Sequence, residues 1–221
     1  MKTEKLLWMF ALSLAAVVAF SSCGGGDTSD EPASGIDGDA DDEEASRTST
    51  DDTNTGTGTG SDADYPAGPY GKVVGETMEN LALADCEGNQ VSLKDYYPDA
   101  KAILISHSAG WCNPCRAEAP TMQGWYEKYK DQGFVILLPL YQNNSYQPAD
   151  AEFCVSWRDQ YNQTFPVLLD PENLLGPYHP DFPTTNMPLN IMLNKDMKIT
   201  FINEGEIPPS IEDQIKANLG L

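Results

Sequence analysis

Two cysteines separated by two residues, in Trp111-Cys112-Asn113-Pro114-Cys115, stand where an apolar run meets a helical stretch. The run before them, Ala102-Ile103-Leu104-Ile105, has the length and character of a buried strand. The stretch from Asn113 to about Asp131 reads as a helix. The pair therefore sits at a strand-to-helix junction, on the helix N-terminus. There the free backbone N–H groups and the helix dipole stabilise an anion. A thiolate is such an anion. Its pKa is lowered at that place, and it is the species that attacks a disulfide. A zinc ribbon would need a second Cys or His pair at ligand spacing, and the sequence has none. A plain stapling disulfide is the structural alternative to a redox pair.

The rest of residues 71–221 alternates short apolar runs with helical stretches. Leu81–Ala84 and Gln90–Leu93 flank Glu87-Gly88-Asn89, a hairpin signature. Lys101–Ser108 is the strand that leads to the cysteine pair. Pro120 inside the following helix removes a backbone donor and is expected to kink it. Phe134–Leu138 is a continuous apolar run, typical of a strand covered on both faces. Ala149–Tyr161 reads as a helix and Phe165–Leu169 as a short strand. Leu189–Leu193 and Ile199–Ile202 flank Asn194-Lys195-Asp196, a second hairpin. Ser210 with Asp213 has the form of a capping box, opening a C-terminal helix that ends at Gly220. Strands interleaved with helices predict an α/β fold, a mixed sheet with helices on both faces. About 150 residues suit one domain with one core.

The N-terminus predicts export. Lys2 and Lys5 precede the apolar run Leu6–Phe20, which has signal-peptide length and is short for a membrane span. Ser21-Ser22-Cys23 followed by three glycines resembles the lipobox of bacterial lipoproteins. That resemblance implies cleavage after residue 22 and lipid on Cys23. Phe20 departs from the leucine usual three residues before the cysteine, so ordinary cleavage nearby stays open. An uncleaved anchor helix is the third arrangement, and all three export the rest.

Residues 24–70 carry thirteen acidic residues against the single Arg47, a net of −12. Ile36 is their only large aliphatic residue. Such a composition does not bury enough apolar surface to offset its ordering entropy, so 23–70 is expected to be a disordered acidic tether. Thr55–Gly60 is low-complexity linker. Asp37–Glu44 lacks the glycine of an EF-hand loop, Asp42 standing in its place. The whole chain has a net charge of −21, which argues against a nucleic-acid partner.

Gly75-Glu76-Thr77, Val91-Ser92-Leu93-Lys94-Asp95-Tyr96, the string Trp111-Cys112-Asn113-Pro114-Cys115-Arg116-Ala117-Glu118-Ala119-Pro120, and Met187-Pro188 follow one another in this order. The order resembles that of TlpA/ResA-like thioredoxin-fold proteins, over roughly residues 72–220. Residues 141–187 are divergent and carry extra sequence. The resemblance implies a thioredoxin fold for 71–221 and a thiol–disulfide oxidoreductase acting on protein thiols and disulfides. It implies that Cys112 is an exposed nucleophile and Cys115 the resolving thiol further inside. Trp111 and Pro114 would border the substrate. Pro188 would be a cis-proline facing the disulfide, with Met187 lending its backbone to an extended client; an ordinary trans proline at a strand start is the alternative. Glu118 would help to move protons. No cofactor or metal is implied. A membrane electron donor is the partner expected of a reductase, and the lipid on Cys23 would hold the chain to a membrane of the bacterial cell envelope.

His107 stands where that family usually has an aromatic residue. A histidine near thiols can lower their pKa or shuttle protons. A buried neutral ring bonded to backbone or hydroxyl groups is the plainer reading. His179 lies in the Pro-rich segment Gly176–Pro180 and reads as a loop residue. Cys86 and Cys154 are open to two readings, a structural disulfide or two buried thiols. A peroxiredoxin would place a threonine three residues before its attacking cysteine, where this chain has Ala109. The competing function class is a lipoprotein binding module whose disulfide is idle.

Overall fold

The computed structural model describes residues 65–221. The expected signal segment 1–22, the lipidation site Cys23 and nearly all of the acidic stretch 23–70 lie outside the described residues. Seven strands and three α-helices follow in the order β1 (Ala82–Asp85), β2 (Gln90–Ser92), β3 (Ala102–His107), α1 (Asn113–Tyr129), β4 (Phe134–Leu140), α2 (Ala151–Gln160), β5 (Val167–Leu169), β6 (Leu189–Asn194), β7 (Ile199–Glu204) and α3 (Ile211–Leu219). They form one mixed sheet in the order β2-β1-β5-β4-β3-β6-β7. Strands β3, β4 and β5 are parallel to one another, and β6 runs antiparallel to β3.

Central position explains the apolar runs. Every residue of β3 is buried, because both faces of the strand are covered and no solvent side calls for alternation. The units β3-α1-β4 and β4-α2-β5 step the same way across the sheet. Right-handed crossovers that step in one direction place their helices on one face. Accordingly Ala119 and Met122 of α1, Cys154 and Trp157 of α2, and Ile211 and Ile215 of α3 share one core with Leu104, Ile136 and Leu138. The opposite face buries Ile103, Ile105, Leu137 and Ile191 under Met78, Leu93, Leu175 and Tyr178. Helical cover on that second face is reduced to one-turn 3-10 helices at Leu93–Tyr96 and Gly176–Tyr178.

Both hairpins form as the turn residues predict. Gly88 takes φ +87° between β1 and β2, and the Asn194 side chain accepts from the Asp196 and Lys198 amides between β6 and β7. Helix α1 continues through Pro120. The expected Ser210 cap is not formed. Ser210 is already in the helical region, its hydroxyl makes no capping bond, and the helix is entered through a turn from Pro208 to Ile211. Gly220 ends α3 with φ +77°.

Candidate active site

Cys112 is the N-cap of α1, with Pro114 in the first turn where its missing N–H costs nothing. Cys112 and Cys115 are joined by a disulfide with their Cα atoms 5.4 Å apart. The Cys112 Sγ accepts from the Cys115 amide at 3.1 Å. A thiolate at Cys112 would inherit that donor and the dipole of a 17-residue helix, both of which favour the anion. Cys115 is fully buried, as expected of the inner sulfur. The expected exposure of Cys112 is not found: only 2 % of it is open to solvent in this oxidised form. Ala109, Met187 and both cysteines belong to the same buried cluster, which closes over the disulfide.

Met187-Pro188 is a cis peptide. It immediately precedes β6, whose Leu189 pairs with His107 of β3, so the bend lies beside the strand that leads to the cysteines. The Pro188 carbonyl accepts from the Gly205 amide at 2.8 Å, and Met187 is 6 % exposed.

Trp111 is half-buried. Its Nε1–H donates to Gln142 Oε1 at 2.9 Å, and its ring stacks on Tyr146 with centroids 5.2 Å apart. The Arg116 Nε donates to the Gly110 carbonyl at 2.6 Å, and its guanidinium reaches Asn144 Oδ1 at 3.1 Å. A Cβ on Gly110 would stand 2.6 Å from the Asn144 nitrogen and from Phe153 Cζ, so the active turn and the 142–146 loop touch backbone to backbone. This loop forms a wall of the site that the sequence reading did not name. Gln142, Asn144 and Tyr146 carry no motif, and the one signal available for them is their place just after the buried strand β4.

Glu118 follows Cys115 by three residues and so lies on the same side of α1. It is 8 % exposed, and its Oε1 accepts from the Ile207 amide at 2.5 Å while Oε2 has no partner. Burial pushes its carboxyl up to about 7, against the lowering effect of the Ile207 amide and with a further rise from Glu206. It opens on a groove of about 490 Å³ bounded by Pro114, Trp125, Ile207 and Pro209.

Beside the cis-proline bend lies a second polar group. His107 is fully buried and His179 is 3 % exposed. The His107 Nδ1 and His179 Nε2 are 3.4 Å apart, although the residues are 72 positions apart in sequence. His107 Nε2 stands 3.3 Å from Asp170 Oδ2, at ion-pair distance but poorly aligned for a hydrogen bond. His179 Nδ1 lies 2.5 Å from Glu204 Oε1. The partners of His107 are thus a carboxylate and a second imidazole, not the backbone or hydroxyl groups of the plainer reading. His179 is in a loop, as expected, but buried. Asp170, Glu204 and the pairing of the histidines carried no signal in the sequence.

Cys86 and Cys154 also form a disulfide, with S–S 2.00 Å and Cα–Cα 5.3 Å. It ties the turn after β1 to α2 and closes the alternative of two free thiols. No group of three or more His, Cys, Asp or Glu side chains among the described residues is placed to hold a metal. No described helix is long and apolar enough to cross a membrane.

Known proteins are similar to this chain in sequence and fold. Residues 74–201, more than half of the chain, match the AhpC/TSA family. A thiol-disulfide oxidoreductase ResA of Bacillus thuringiensis (strain Al Hakam) is 27 % identical over 128 residues, which cover 57 % of this chain and 66 % of the relative, just under two thirds of its length. The thioredoxin-like protein YneN of Bacillus subtilis (strain 168) is 29 % identical over 112 residues, covering 50 % of this chain and 62 % of that one. The crystal structure of the thioredoxin domain of a thiol-disulfide oxidoreductase from Bacteroides vulgatus superposes with a TM-score of 0.54 at 19 % identity, covering 66 % of this chain and 98 % of that one. A thiol:disulfide interchange protein of Chlorobium tepidum TLS gives 0.54 at 19 %, covering 65 % and 96 %. At such identities the structures establish the thioredoxin-like fold. The family match over residues 74–201, together with the ResA and YneN relatives, shows that this chain belongs to the AhpC/TSA family, among its TlpA/ResA-like thioredoxin-fold members.

Proposed function

We propose that this chain is a thiol–disulfide oxidoreductase working through Cys112 and Cys115. The observation that carries this reading is the disulfide at the N-cap of α1, beside the cis Met187-Pro188 bend. In the reducing direction the Cys112 thiolate attacks one sulfur of a client disulfide. The other client sulfur leaves as a thiolate and takes up a proton. Cys115 then gives up its proton and attacks Cys112 Sγ, and the second client sulfur leaves. The client gains two electrons and two protons, and the pair returns to the disulfide. Glu118, held near neutrality by its burial, is the group suited to take the Cys115 proton and hand it to the groove. The backbone at Met187 binds an extended client segment, and Trp111 and Pro114 border it. Ala109, at the position of a peroxiredoxin threonine, favours disulfide over peroxide chemistry.

The proposal extends to the cell. The charged, apolar and small-residue pattern of 1–23 supports export and lipid on Cys23, and the composition of 23–70 supports a tether. A tethered enzyme of this kind works outside the cytoplasm as a reductase, refilled by a membrane electron donor.

Insulin reduction by the full chain in mild detergent tests the chemistry. Cys112→Ser abolishes turnover, Cys115→Ser accumulates mixed disulfides, and alkylation of the reduced protein near neutral pH modifies Cys112 first. Equal labelling of all thiols, with no turnover, overturns the reading. An equilibrium reduction potential near about −270 mV, the thioredoxin range, supports the reducing direction, and a value near about −120 mV reverses it.

A further inference from the structure

The chain has two histidines, and the fold brings them into contact. They stand in a row of four side chains, Asp170, His107, His179 and Glu204, which crosses the ends of β5, β3 and β7. Among the described residues, the ion pairs of Asp170 and Glu204 are with these rings and with no Lys or Arg. Tyr141 is the other ring beside His107, at 5.9 Å, and Asn186 reaches Glu204 Oε2 at 3.4 Å. Two facing imidazole nitrogens supply at most two metal donors, and no third joins them among the described residues. The row is a site for protons.

Its hydrogen count is definite. A carboxylate only accepts when ionised, and each imidazole nitrogen donates or accepts but does not do both. Each of the three contacts favours one proton between its partners: His107–His179 and His179–Glu204 as hydrogen-bond contacts, and His107–Asp170 as an ion pair at 3.3 Å, because a bare imidazole nitrogen there would face the carboxylate lone pairs. Two neutral rings bring one too few. Two charged rings bring one too many and set N–H against N–H at the central contact. With both carboxylates ionised, the row is complete when the pair holds a single shared positive charge, which also offsets one of the two flanking anions.

The row is also the seat of the segment that ends in the cis-proline. At its start, the Asp170 carboxylate accepts from the Leu174 and Leu175 amides at 2.7 and 3.0 Å. In its middle, His179 contacts His107 and Glu204. At its end, Asn186, adjacent to Met187, contacts Glu204. Leu189, adjacent to Pro188, pairs with His107 on one side and Glu204 on the other.

We propose that His107 and His179 are positioning residues whose one shared proton seats residues 170–187, so that the binding of a client at Met187-Pro188, and not the sulfur chemistry, depends on this proton. The proposal rests on the oxidoreductase reading above. Burial, the largest cause, lowers the pKa of His179; Glu204 raises it, His107 lowers it again, and the net shift is downward from the ordinary histidine value. The shared proton is lost as the pH rises through the midpoint of the pair, and the seat loosens above it.

Histidine-selective nitrogen-15 NMR of the oxidised full chain tests this directly, since no other histidine contributes signals. Both rings should respond to one proton with one midpoint, with a second uptake only at far lower pH. Amides of residues 180–187 should exchange faster above that same midpoint. Rings that titrate independently, or an exchange rate indifferent to the midpoint, overturn the proposal. In insulin reduction, KM should rise about tenfold between a pH below that midpoint and a pH above it, the worth of one hydrogen bond to a charged group. In His179→Gln, KM should stay at the high value throughout while the pH profile of kcat keeps the parent shape; a variant KM that still follows pH also overturns it. A parent chain with no turnover fails the oxidoreductase reading, whereas independent ring titration fails this one alone.

Discussion

Glu118 shows how one buried carboxylate links stability to catalysis. Its pKa is raised from 4.5 to about 7, first by burial, so the folded chain keeps a proton that the unfolded chain has lost between those values. The associated stability is fully present below the unfolded value and is lost as pH rises through about 7. Glu118→Gln fixes the neutral form. The melting temperature of the variant should therefore fall less than that of the parent between about pH 5 and pH 8. If Glu118 also takes the Cys115 proton, the variant should lose about 100-fold in exchange rate near and above pH 7, the low end of what a positioned acid–base group contributes. It should lose little where the parent carboxyl is already protonated. A parallel drop at every pH would make Glu118 a residue of the groove wall and not a proton carrier. The residue was legible in sequence because it lies within a contiguous string beginning at Trp111. Its isolation was not, since the Ile207 amide and Glu206 come from the far side of the groove.

At the scale of elements, what could be read from sequence is what is local. Strands β3 and β4 announced themselves as apolar runs because both faces of a central strand are covered, and α1 followed from its cysteine-and-proline start. The closure of the site depends on long-range approaches that leave no periodic trace. The 142–146 loop touches Gly110, and the 170–187 segment folds back so that His179 meets His107 across 72 residues. The burial of Cys112 belongs with these, because Met187 and the cysteines share a cluster only once β6 is placed. The same limit applied to Cys86 and Cys154, whose Cα separation no sequence discloses. Their bridge joins positions 68 residues apart, and closing a loop of that length removes roughly 4 kcal/mol of freedom from the unfolded chain. Replacing both by alanine should lower the free energy of unfolding by up to that amount, read from denaturant midpoints, and leave the labelling preference for Cys112 intact. Loss of insulin turnover at temperatures where the variant is still folded would instead give this buried disulfide a part in the redox cycle.

The whole molecule divides by composition. Residues 71–221 carry the fold and the site, while 24–70 hold thirteen acidic residues and one basic residue between them and the proposed lipid on Cys23. On the proposed tether reading, a flexible coil of this length would have an end-to-end distance of roughly 35–40 Å, and self-repulsion of like charges would lengthen it further. Salt at physiological strength screens charges more than about 8 Å apart, so the lengthening is greatest at low ionic strength. On the proposed reading, the acidic stretch sets how far from the membrane the disulfide exchanges, and it has no part in the exchange itself. Deleting residues 27–62 should leave turnover of a soluble disulfide within about twofold of the parent, because diffusion brings such a client to the site wherever the domain is held. Activity toward a client anchored in the same vesicle should fall steeply once the shortened linker does not span the gap, since effective concentration vanishes when two sites cannot be bridged. Equal losses on both clients would place residues 27–62 in the catalytic machinery. Mass spectrometry of the mature protein decides the anchoring separately: diacylglycerol on Cys23 supports the lipid-held arrangement, and an unmodified N-terminus at a neighbouring residue replaces it with a freely exported chain.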